Sequence, residues 1–423
     1  MYIIRNGLVC NPENGFCEKT DVIIDGNKVQ RIGCATEEEC AKAEKIIDAT
    51  DCVVAPGLLD VHVHFRDPGF TYKEDIETGA KAALKGGFTS VVLMANTKPV
   101  VDNVETLQYV LEKGRKTGLH VYSCSAITRG LQGKEIIDMD ALHEAGAVGF
   151  TDDGIPILEE KVLREAFEKA GSMKLPISLH EENPRYITNN GINRGKASEH
   201  FGIGGSSREA EISMVDRDLK LAVETKAIVN IQHISTKEAV ELVRKSKQVS
   251  QNVHAEATPH HFSLTEEATI AYGTLAKMNP PLREEADRQA IIKGLQDGTI
   301  DIIATDHAPH SKEEKDKPIT EAPSGILGLE TALALGITNL VEPGYLTMNE
   351  LLYKMTVAPA DLYHLPVGRL AEGETADIVI FAPKEKWIVK EFASKSANSP
   401  FVGQELSGVI KYTVTDGNIV YQK

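Results

Sequence analysis

The sequence predicts an α/β protein built as a TIM-type (β/α)8 barrel, with a small β-sandwich domain formed by both chain termini. Three observations lead to this prediction. Apolar runs of strand length alternate with helical stretches through the middle of the 423-residue chain. Both ends of the chain contain short β-like runs next to Asp-Gly turns, a strong hairpin signal. Histidines and carboxylates recur where the predicted barrel strands end, and this rim is where such barrels place their chemistry.

The terminal segments are each too small to bury a core separately. Near the start of the chain, apolar runs flank the turn Asp25-Gly26-Asn27, and near its end they flank Asp416-Gly417-Asn418. We expect residues 1–53 and 367–423 to pair into one small β domain, with the barrel at 54–366. Two unrelated edge hairpins are the alternative.

Eight strand-like segments alternate with helical segments between the two termini. This order favours a parallel sheet closed into a barrel. An open doubly wound sheet is the alternative, but no G-x-G-x-x-G motif follows the first barrel strand. The predicted strands are 61–65, 90–95, 120–126, 147–152, 175–180, 227–233, 253–258 and 301–306. The predicted helices are 73–85, 104–117, 158–170, 207–225, 237–247, 287–295, 326–340 and 348–358.

The overall composition excludes several classes of partner. A formal net charge of −16 argues against nucleic acids and anionic membranes, because both are bound mainly through Lys and Arg. No window reaches the ~18 apolar residues of a membrane span, and no basic-then-apolar leader opens the chain, so we expect a cytoplasmic protein. The six cysteines include no C-x-x-C pair, which predicts reduced thiols rather than a disulfide framework or zinc finger.

The first barrel strand has an apolar face and a polar face, because side chains alternate along a strand. We expect Val61, Val63 and Phe65 on one face, and His62 and His64 on the other together with Asp60 and Arg66. Two imidazoles two residues apart can converge on one zinc-type ion. A pair of hydrogen-bonded histidines is the alternative for this strand taken alone.

Further candidate ligands follow other predicted strands. Asp152 and Asp153 end the fourth strand, His180 the fifth, His233 the sixth and Asp306 the eighth. With one of the two aspartates, the rim then holds six protein ligands, which exceed the three or so of an open catalytic zinc site and fit two ions about 3.5–4 Å apart. Such a centre activates water and polarises an amide carbonyl. Asp306 could then pass a proton from the attacking hydroxide to the leaving nitrogen.

These residues resemble the amidohydrolase superfamily and, within it, the long-chain bacterial dihydroorotases. The similarity extends over essentially the whole chain in several independent motifs. They are HVHFRDPG at 62–69, ANT at 95–97, FTDDG at 150–154, TPHHF at 258–262, KMNPP at 277–281 and TDHAPH at 305–310. The resemblance implies a cyclic amide hydrolase that closes N-carbamoyl-L-aspartate to L-dihydroorotate in pyrimidine biosynthesis. It also implies a homodimer and allows an association with aspartate transcarbamoylase.

The resemblance implies two Zn2+ ions held by six residues. The first ion would be bound by His62, His64 and Asp306, the second by His180 and His233, with Asp153 as the bridge. Many members of the superfamily use a carboxylated lysine as the bridge, and no lysine stands at the end of the fourth strand. This departure leaves open whether both ions are bound strongly. Asp152 is the rival for the bridging role, although its neighbouring parity on the strand should turn it away.

The resemblance also implies which residues bind the substrate: His64, Arg66, Asn96, Asn279, His310, Ser324 and Gly325. The planar fork of Arg66 matches a carboxylate and supplies local positive charge in an acidic protein. A rim salt bridge with Asp67 is the alternative for Arg66. The loop over 307–325 is long for a barrel connection, so we expect a lid over the substrate, with a solvated charged loop as the alternative.

Two other functions are compatible with parts of this pattern. Another cyclic amide hydrolase, such as an allantoinase or a hydantoinase, resembles the metal set but normally carries the bridging lysine. A non-catalytic paralogue that scaffolds aspartate transcarbamoylase would be expected to have lost metal ligands, whereas all six are present here.

Overall fold

The computed structural model describes all 423 residues and contains fifteen strands and fifteen α-helices. The strands are β1 (Tyr2–Asn11), β2 (Phe16–Asp25), β3 (Lys28–Ile32), β4 (Lys45–Asp48), β5 (Val53–Pro56), β6 (Leu58–Val63), β7 (Phe88–Leu93), β8 (His120–Ser123), β9 (Ile177–Leu179), β10 (Val229–Ile231), β11 (Val253–Ala257), β12 (Ile302–Ile303), β13 (Ile378–Ile388), β14 (Glu405–Thr415) and β15 (Asn418–Gln422). The helices are α1 (Glu37–Lys42), α2 (Ile76–Lys85), α3 (Val104–Gly114), α4 (Met139–Glu144), α5 (Glu160–Met173), α6 (Lys196–Phe201), α7 (Glu209–Thr225), α8 (Lys237–Lys247), α9 (Pro259–Ser263), α10 (Glu266–Tyr272), α11 (Glu285–Asp297), α12 (Lys312–Lys315), α13 (Ala332–Gly336), α14 (Met348–Lys354) and α15 (Val357–Leu362).

A closed parallel barrel forms the centre of the molecule. β6, β7 and β8 pair in one parallel run, and β9, β10, β11 and β12 pair in a second. Phe150 joins the two runs through parallel bridges to Ser125 and Ile177, and a bridge from Val63 to His307 closes the ring. The predicted barrel is confirmed. The fourth strand, expected over 147–152, is reduced to these bridges, although its backbone still hydrogen-bonds to both neighbours.

The first barrel strand departs from the expected alternation. The register of β6 against β7 shifts between Asp60 and Val63, where the Asp60 carboxylate accepts the backbone N–H of His62 at 3.1 Å. Val61 consequently packs in a cluster inside the barrel, whereas Val63 and Phe65 belong to the main core. The prediction that Val61, Val63 and Phe65 share a face is therefore wrong, because the bulge inserts a shift that strict parity cannot anticipate.

Capping residues set the bounds of several helices. α2 begins at Ile76 rather than at Lys73, because the Asp75 side chain accepts the N–H of Thr78 and acts as the N-cap. α3 is capped in the same way by Asn103, and α8 by Thr236. The helices pack around the barrel in a core of 76 buried residues. None of them combines the length and the hydropathy of a membrane span.

Strands from both termini form one eight-stranded sheet. Its order is β15-β14-β13-β5-β1-β2-β3, and β4 pairs with β1. β5 connects the two ends of the chain, because it pairs in parallel with β1 and antiparallel with β13. This sheet has an apolar core of its own with 15 buried residues. The expectation that the two termini form one β unit, rather than two unrelated hairpins, is confirmed. The boundaries 1–53, 54–366 and 367–423 remain a prediction.

The structure corrects the expectation that all six cysteines are reduced. Cys10 and Cys17 lie directly opposite each other in the β1–β2 register and form a disulfide, with Cα atoms 4.1 Å apart. The hairpin creates this proximity, which a spacing of seven residues does not reveal. Cys34, Cys40, Cys52 and Cys124 are free.

Replacing Gly79 in α2 by alanine should destabilise the protein. A Cβ at Gly79 would lie 2.4–2.6 Å from the Phe65 ring, and such overpacking costs about 1–3 kcal/mol, more than the ~1 kcal/mol that alanine gains over glycine in a helix. Urea denaturation measures the change. Gly171→Ala in α5 is the control, because its Cβ would meet nothing closer than 4.0 Å. This substitution should stabilise the protein slightly. Equal stabilisation by both variants would contradict the packing at Phe65.

Candidate metal centre

Six side chains converge at the rim formed by the carboxyl ends of the barrel strands. They come from five strand positions around the ring: His62 lies in β6 and His64 just after it, and the others come after the fourth strand, β9, β10 and β12. They are buried, with exposed fractions from 0% to 8%. The structure thus brings together all six predicted ligands: His62, His64, Asp153, His180, His233 and Asp306.

Asp153 lies at the centre of this group. One carboxylate oxygen, Oδ1, is 3.4 Å from His62 Nε2, 3.8 Å from His180 Nδ1 and 4.0 Å from His233 Nε2. The other oxygen, Oδ2, is 3.5 Å from His64 Nε2. Two sets of three donor atoms, each within 4.8 Å of one another, therefore share Asp153. A shared carboxylate between two donor sets is the geometry that a bridged pair of ions requires.

Asp306 lies beside the first set of donors. Its Oδ1 is 3.0 Å from His64 Nε2 and 3.5 Å from His62 Nε2. The backbone of Asp306 has a φ of 48°, and His233 and Arg66 also have positive φ values. Such strained residues persist only where the surroundings hold them, and they concentrate at functional sites.

The residues present fit a metal centre. Imidazole nitrogens and carboxylate oxygens are the usual ligands of zinc-type ions. His62 Nε2 is fully buried, has no hydrogen-bond partner and faces the carboxylates of Asp153 and Asp306. Binding of a metal ion would satisfy this buried nitrogen, which otherwise has no partner.

Three of the four histidines have a partner on the nitrogen that faces away from Asp153 or Asp306. His62 Nδ1 is 2.5 Å from Glu256 Oε1, and His180 Nε2 is 3.2 Å from Glu182 Oε2. His64 Nδ1 is 2.9 Å from Asn96 Oδ1. Such partners set the orientation and the tautomer of a ligand histidine.

Glu256 and Glu182 were absent from the sequence-based site. Glu256 lies in β11, and its second oxygen accepts a hydrogen bond from Asn230 at 2.9 Å. The signal that could have found it is a carboxylate between two alanines inside the predicted strand 253–258. Glu182 lies two residues after His180 in the following loop, where spacing alone carries no comparable signal.

Electrostatics support the assignment of Asp153 as an ionised ligand. Burial raises its pKa, but the neighbouring His62, His64 and His180 outweigh burial and hold that pKa well below its usual range. Burial lowers the pKa of His62, yet the carboxylates of Glu256 and Asp153 bring it well above its ordinary value. Asp152 takes no part, because its carboxylate accepts the backbone N–H groups of Ile127 and Thr128.

A cavity of about 180 Å³ opens above the metal ligands. Thirteen residues line it, of which only Ala308 is hydrophobic. All the residues that the resemblance implied for substrate binding are among them: His64, Arg66, Asn96, Asn279, His310, Ser324 and Gly325. The amide of Asn96 lies between two metal-ligand candidates, since its Nδ2 donates to Asp153 Oδ2 at 3.0 Å. A small polar cavity of this kind suits a small charged substrate.

Arg66 is not used in a salt bridge with Asp67. Its Nε donates to the carbonyl oxygen of Pro309 at 3.3 Å, and the guanidinium lines the cavity. Asp67 instead accepts from Lys113 Nζ at 2.6 Å and from the Tyr109 hydroxyl at 2.9 Å. The guanidinium of Arg66 therefore has no carboxylate partner of its own in the structure.

The loop over 307–325 is buried at both ends and exposed at its charged tip, where Lys312, Glu313, Asp316 and Lys317 face solvent. It contains α12, and it contributes His310, Ser324 and Gly325 to the cavity wall. Two buried lysines brace it: Lys277 donates to the carbonyls of residues 319 and 322, and Lys315, within the loop, to those of residues 323 and 325. Whether the loop is a lid or a solvated charged loop stays a prediction.

Comparisons with known proteins agree with this site. Residues 53–420 match the family model described as the amidohydrolase family. Dihydroorotases from Clostridioides difficile (strain 630) and Streptococcus pyogenes serotype M3 are 55% and 52% identical to the chain, with complete coverage of both sequences. The L-hydantoinase (dihydropyrimidinase) structure from Arthrobacter aurescens superposes with a TM-score of 0.87 at 26% identity, covering 100% of this chain and 96% of the other.

The barrel, the ligand rim and the family match define the class: the chain belongs to the amidohydrolase family. Within that family, its relatives at 50–55% identity over full length give it the function of a dihydroorotase, a hydrolase acting on a cyclic amide bond. The function expected from the sequence motifs is confirmed. The hydantoinase fold neighbours share the architecture at much lower identity.

Replacing Glu256 by glutamine should weaken metal binding. The substitution removes the negative charge opposite His62 Nδ1, and loss of such a partner typically costs about 10- to 100-fold in metal affinity. Competition with a chromophoric chelator measures the affinity of the purified variant. Glu267→Gln, an exposed carboxylate that pairs with Lys196, is the control and should bind metal as the unmodified chain does. Equal affinity in both variants would refute the orienting role of Glu256.

Proposed function

We propose that the chain interconverts N-carbamoyl-L-aspartate and L-dihydroorotate at a centre of two Zn2+ ions bridged by Asp153. The observation that supports this most directly is the position of Asp153, whose carboxylate is shared by two donor sets below a polar cavity. When bound, the ions supply Lewis acidity that activates water and polarises the amide carbonyl. His62, His64 and Asp306 would hold the first ion, and His180 and His233 the second.

Asp306 acts as the general base and acid. In the hydrolytic direction its carboxylate takes the proton of the attacking water, and the same proton then passes to the ring nitrogen as the C–N bond breaks. In the cyclising direction the Asp306 carboxylate takes the proton of the carbamoyl nitrogen as that nitrogen bonds to the carbon of the protonated side-chain carboxyl group of the substrate. Asp306 then passes the proton to the hydroxide that leaves this carbon, which departs as water. The position of Asp306 between the histidine ligands and the cavity supports this role.

The substrate's free carboxylate binds at the side of the cavity where Arg66 lies. Arg66 offers a planar fork that has no carboxylate partner within the protein, and Asn96 and His310 lie on the same cavity wall. Asn279, Ser324 and Gly325 hold the ring through backbone or amide groups. By holding the carboxylate of the substrate, Arg66, Asn96 and His310 would orient the amide carbon toward the metal ligands.

The proposal includes five further properties of the protein. They are the barrel limits 54–366, closure of the 307–325 loop over bound substrate, a homodimer, an association with aspartate transcarbamoylase, and a cytoplasmic location. Each follows from the resemblance and sequence composition, and each has its own measurement, such as light scattering for the dimer.

A paired substrate assay tests the proposed reaction. We expect the metal-loaded protein to hydrolyse L-dihydroorotate and to cyclise N-carbamoyl-L-aspartate, with little turnover of hydantoin, because Arg66 and His310 supply a grip for a carboxylate. Treatment with a chelator should abolish both reactions, and added Zn2+ should restore them. Turnover of hydantoin with none of dihydroorotate would overturn the substrate assignment.

Replacing Asp306 by asparagine should lower kcat by about 10²–10⁴-fold, the usual contribution of a positioned proton-transfer group. The steric change is small, so the melting temperature should stay close to that of the unmodified chain. Metal content measured on the same sample separates loss of the base from loss of a ligand. Asp216→Asn, on the exposed face of α7, is the control. Full turnover in the Asp306 variant would refute its role.

A further inference from the structure

Lys73 lies behind the wall of the cavity, next to His310. The residue is only 8% exposed and is not itself among the cavity-lining residues. Its ammonium donates to Glu314 Oε1 at 3.0 Å and lies 5.3 Å from the centroid of the Phe70 ring. These contacts hold Lys73 Nζ 3.3 Å from Nδ1 of His310. A buried cation is thus placed against the far side of a cavity-lining imidazole.

The contacts of His310 define which ring nitrogen carries the proton. Nε2 is 2.9 Å from the carbonyl oxygen of Ser324, which can only accept a hydrogen bond. Nδ1 faces the ammonium of Lys73, which can only donate. Both contacts are satisfied by the same tautomer, with the proton on Nε2 and the lone pair on Nδ1. Burial and the charges of Arg66 and Lys73 lower the pKa of His310, so the ring carries one proton at neutral pH.

Two neighbouring groups favour the opposite tautomer. Arg66 Nη2 can only donate and lies 3.4 Å from His310 Nε2, although the carbonyl oxygen of Ser324 is closer to that nitrogen, at 2.9 Å. Glu314 Oε2 lies 3.4 Å from His310 Nδ1 and could accept a proton from it. That oxygen already accepts the backbone N–H of Ser311 at 2.9 Å, and the other oxygen of Glu314 is held by Lys73 and by the Tyr72 hydroxyl. Lys73 therefore both occupies the Nδ1 lone pair and restrains the competing carboxylate.

We propose that Lys73 is a positioning residue that holds His310 in the tautomer whose Nε2–H serves the cavity. The proposal rests on the function proposed above, in which His310 binds the carboxylate of the substrate. His310 Nε2 and Arg66 Nη2 lie 3.4 Å apart, and in this tautomer both carry an N–H, so one carboxylate can accept from Arg66 and share the Nε2–H with the carbonyl oxygen of Ser324. In the other tautomer, Nε2 would present a lone pair to that carboxylate and to Ser324 O.

Replacing Lys73 by methionine tests the proposal without reference to activity. Nitrogen-15 NMR of the substrate-free, metal-loaded protein reports the tautomer of each histidine, and His310→Asn identifies the signal of His310. We expect an Nε2–H tautomer in the unmodified chain and an Nδ1–H tautomer, bonded to Glu314, in Lys73→Met. Retention of the Nε2–H form in the variant would overturn the proposal.

Kinetics on dihydroorotate give the second measurement. Lys73→Met should raise KM by about tenfold or more, because a charge-assisted hydrogen bond to the carboxylate is lost, while kcat stays within about threefold. Lys73→Arg retains a cationic donor and should recover most of the affinity. Lys81→Met, an exposed lysine that pairs with Glu77, is the matched control and should leave KM unchanged. An unchanged KM in Lys73→Met would also contradict the proposal.

The two measurements separate this inference from the proposed function. If the unmodified chain fails to turn over dihydroorotate, the proposed function fails, while the NMR comparison still decides whether Lys73 sets the tautomer. Thermal melts establish that each variant is folded. If Lys73→Met does not fold, Lys73→Gln replaces it, because an uncharged amide that can present its oxygen to Nδ1 no longer enforces the lone pair there, and the same outcomes apply.

Discussion

The site depends on one buried carboxylate surrounded by histidines. Asp153 is 5% exposed and lies within 4.0 Å of a ring nitrogen of four imidazoles, two from the first barrel strand and two from the opposite half of the ring. Without positive charge nearby, a carboxylate in such surroundings would be protonated. The neighbouring His62, His64 and His180 keep Asp153 ionised despite its burial, so the barrel rim and its ligands form one electrostatic unit.

The backbone supports this unit through Asp60. Its carboxylate accepts the backbone N–H of His62 and that of Thr305, at 3.1 Å in each case. These two bonds connect the first barrel strand to the eighth, close to the candidate ligands His62 and Asp306. These bonds accompany the register shift between Asp60 and Val63 in β6 and lie next to Asp306, whose φ is 48°. A regular parallel ladder supplies neither irregularity, so the Asp60 side chain stabilises the backbone at the point where His62 and Asp306 approach each other.

Sequence reasoning recovered the parts of the site that depend on strand ends. His62, His180 and Asp306 were predictable because parallel strands of a barrel terminate at one rim, so residues distant in sequence must meet there. Glu256 leaves a signal of position only, as a carboxylate inside a predicted strand, and Lys73 leaves none. The roles of both depend on which ring nitrogen of a neighbouring histidine they face. Which nitrogen a side chain faces depends on its rotamer and on loop packing over distances of about 3 Å. Residue spacing in the sequence carries no information on that scale.

Charge distribution explains how a protein of net charge −16 can hold an anionic substrate. Cations gather around the cavity: Arg66 lines it, Lys73 lies behind His310, Lys277 binds the 307–325 loop and Lys315 belongs to that loop. Neither Lys277 nor Lys315 bonds a carboxylate; each binds two backbone carbonyls, and burial lowers the pKa of Lys315 to about 7. Lys73 is paired with Glu314, whereas the guanidinium of Arg66 has no carboxylate partner. An acidic protein can therefore hold an anionic substrate, because the fold keeps one unpaired guanidinium at the cavity and places the ammonium groups of Lys73 and Lys277 near it.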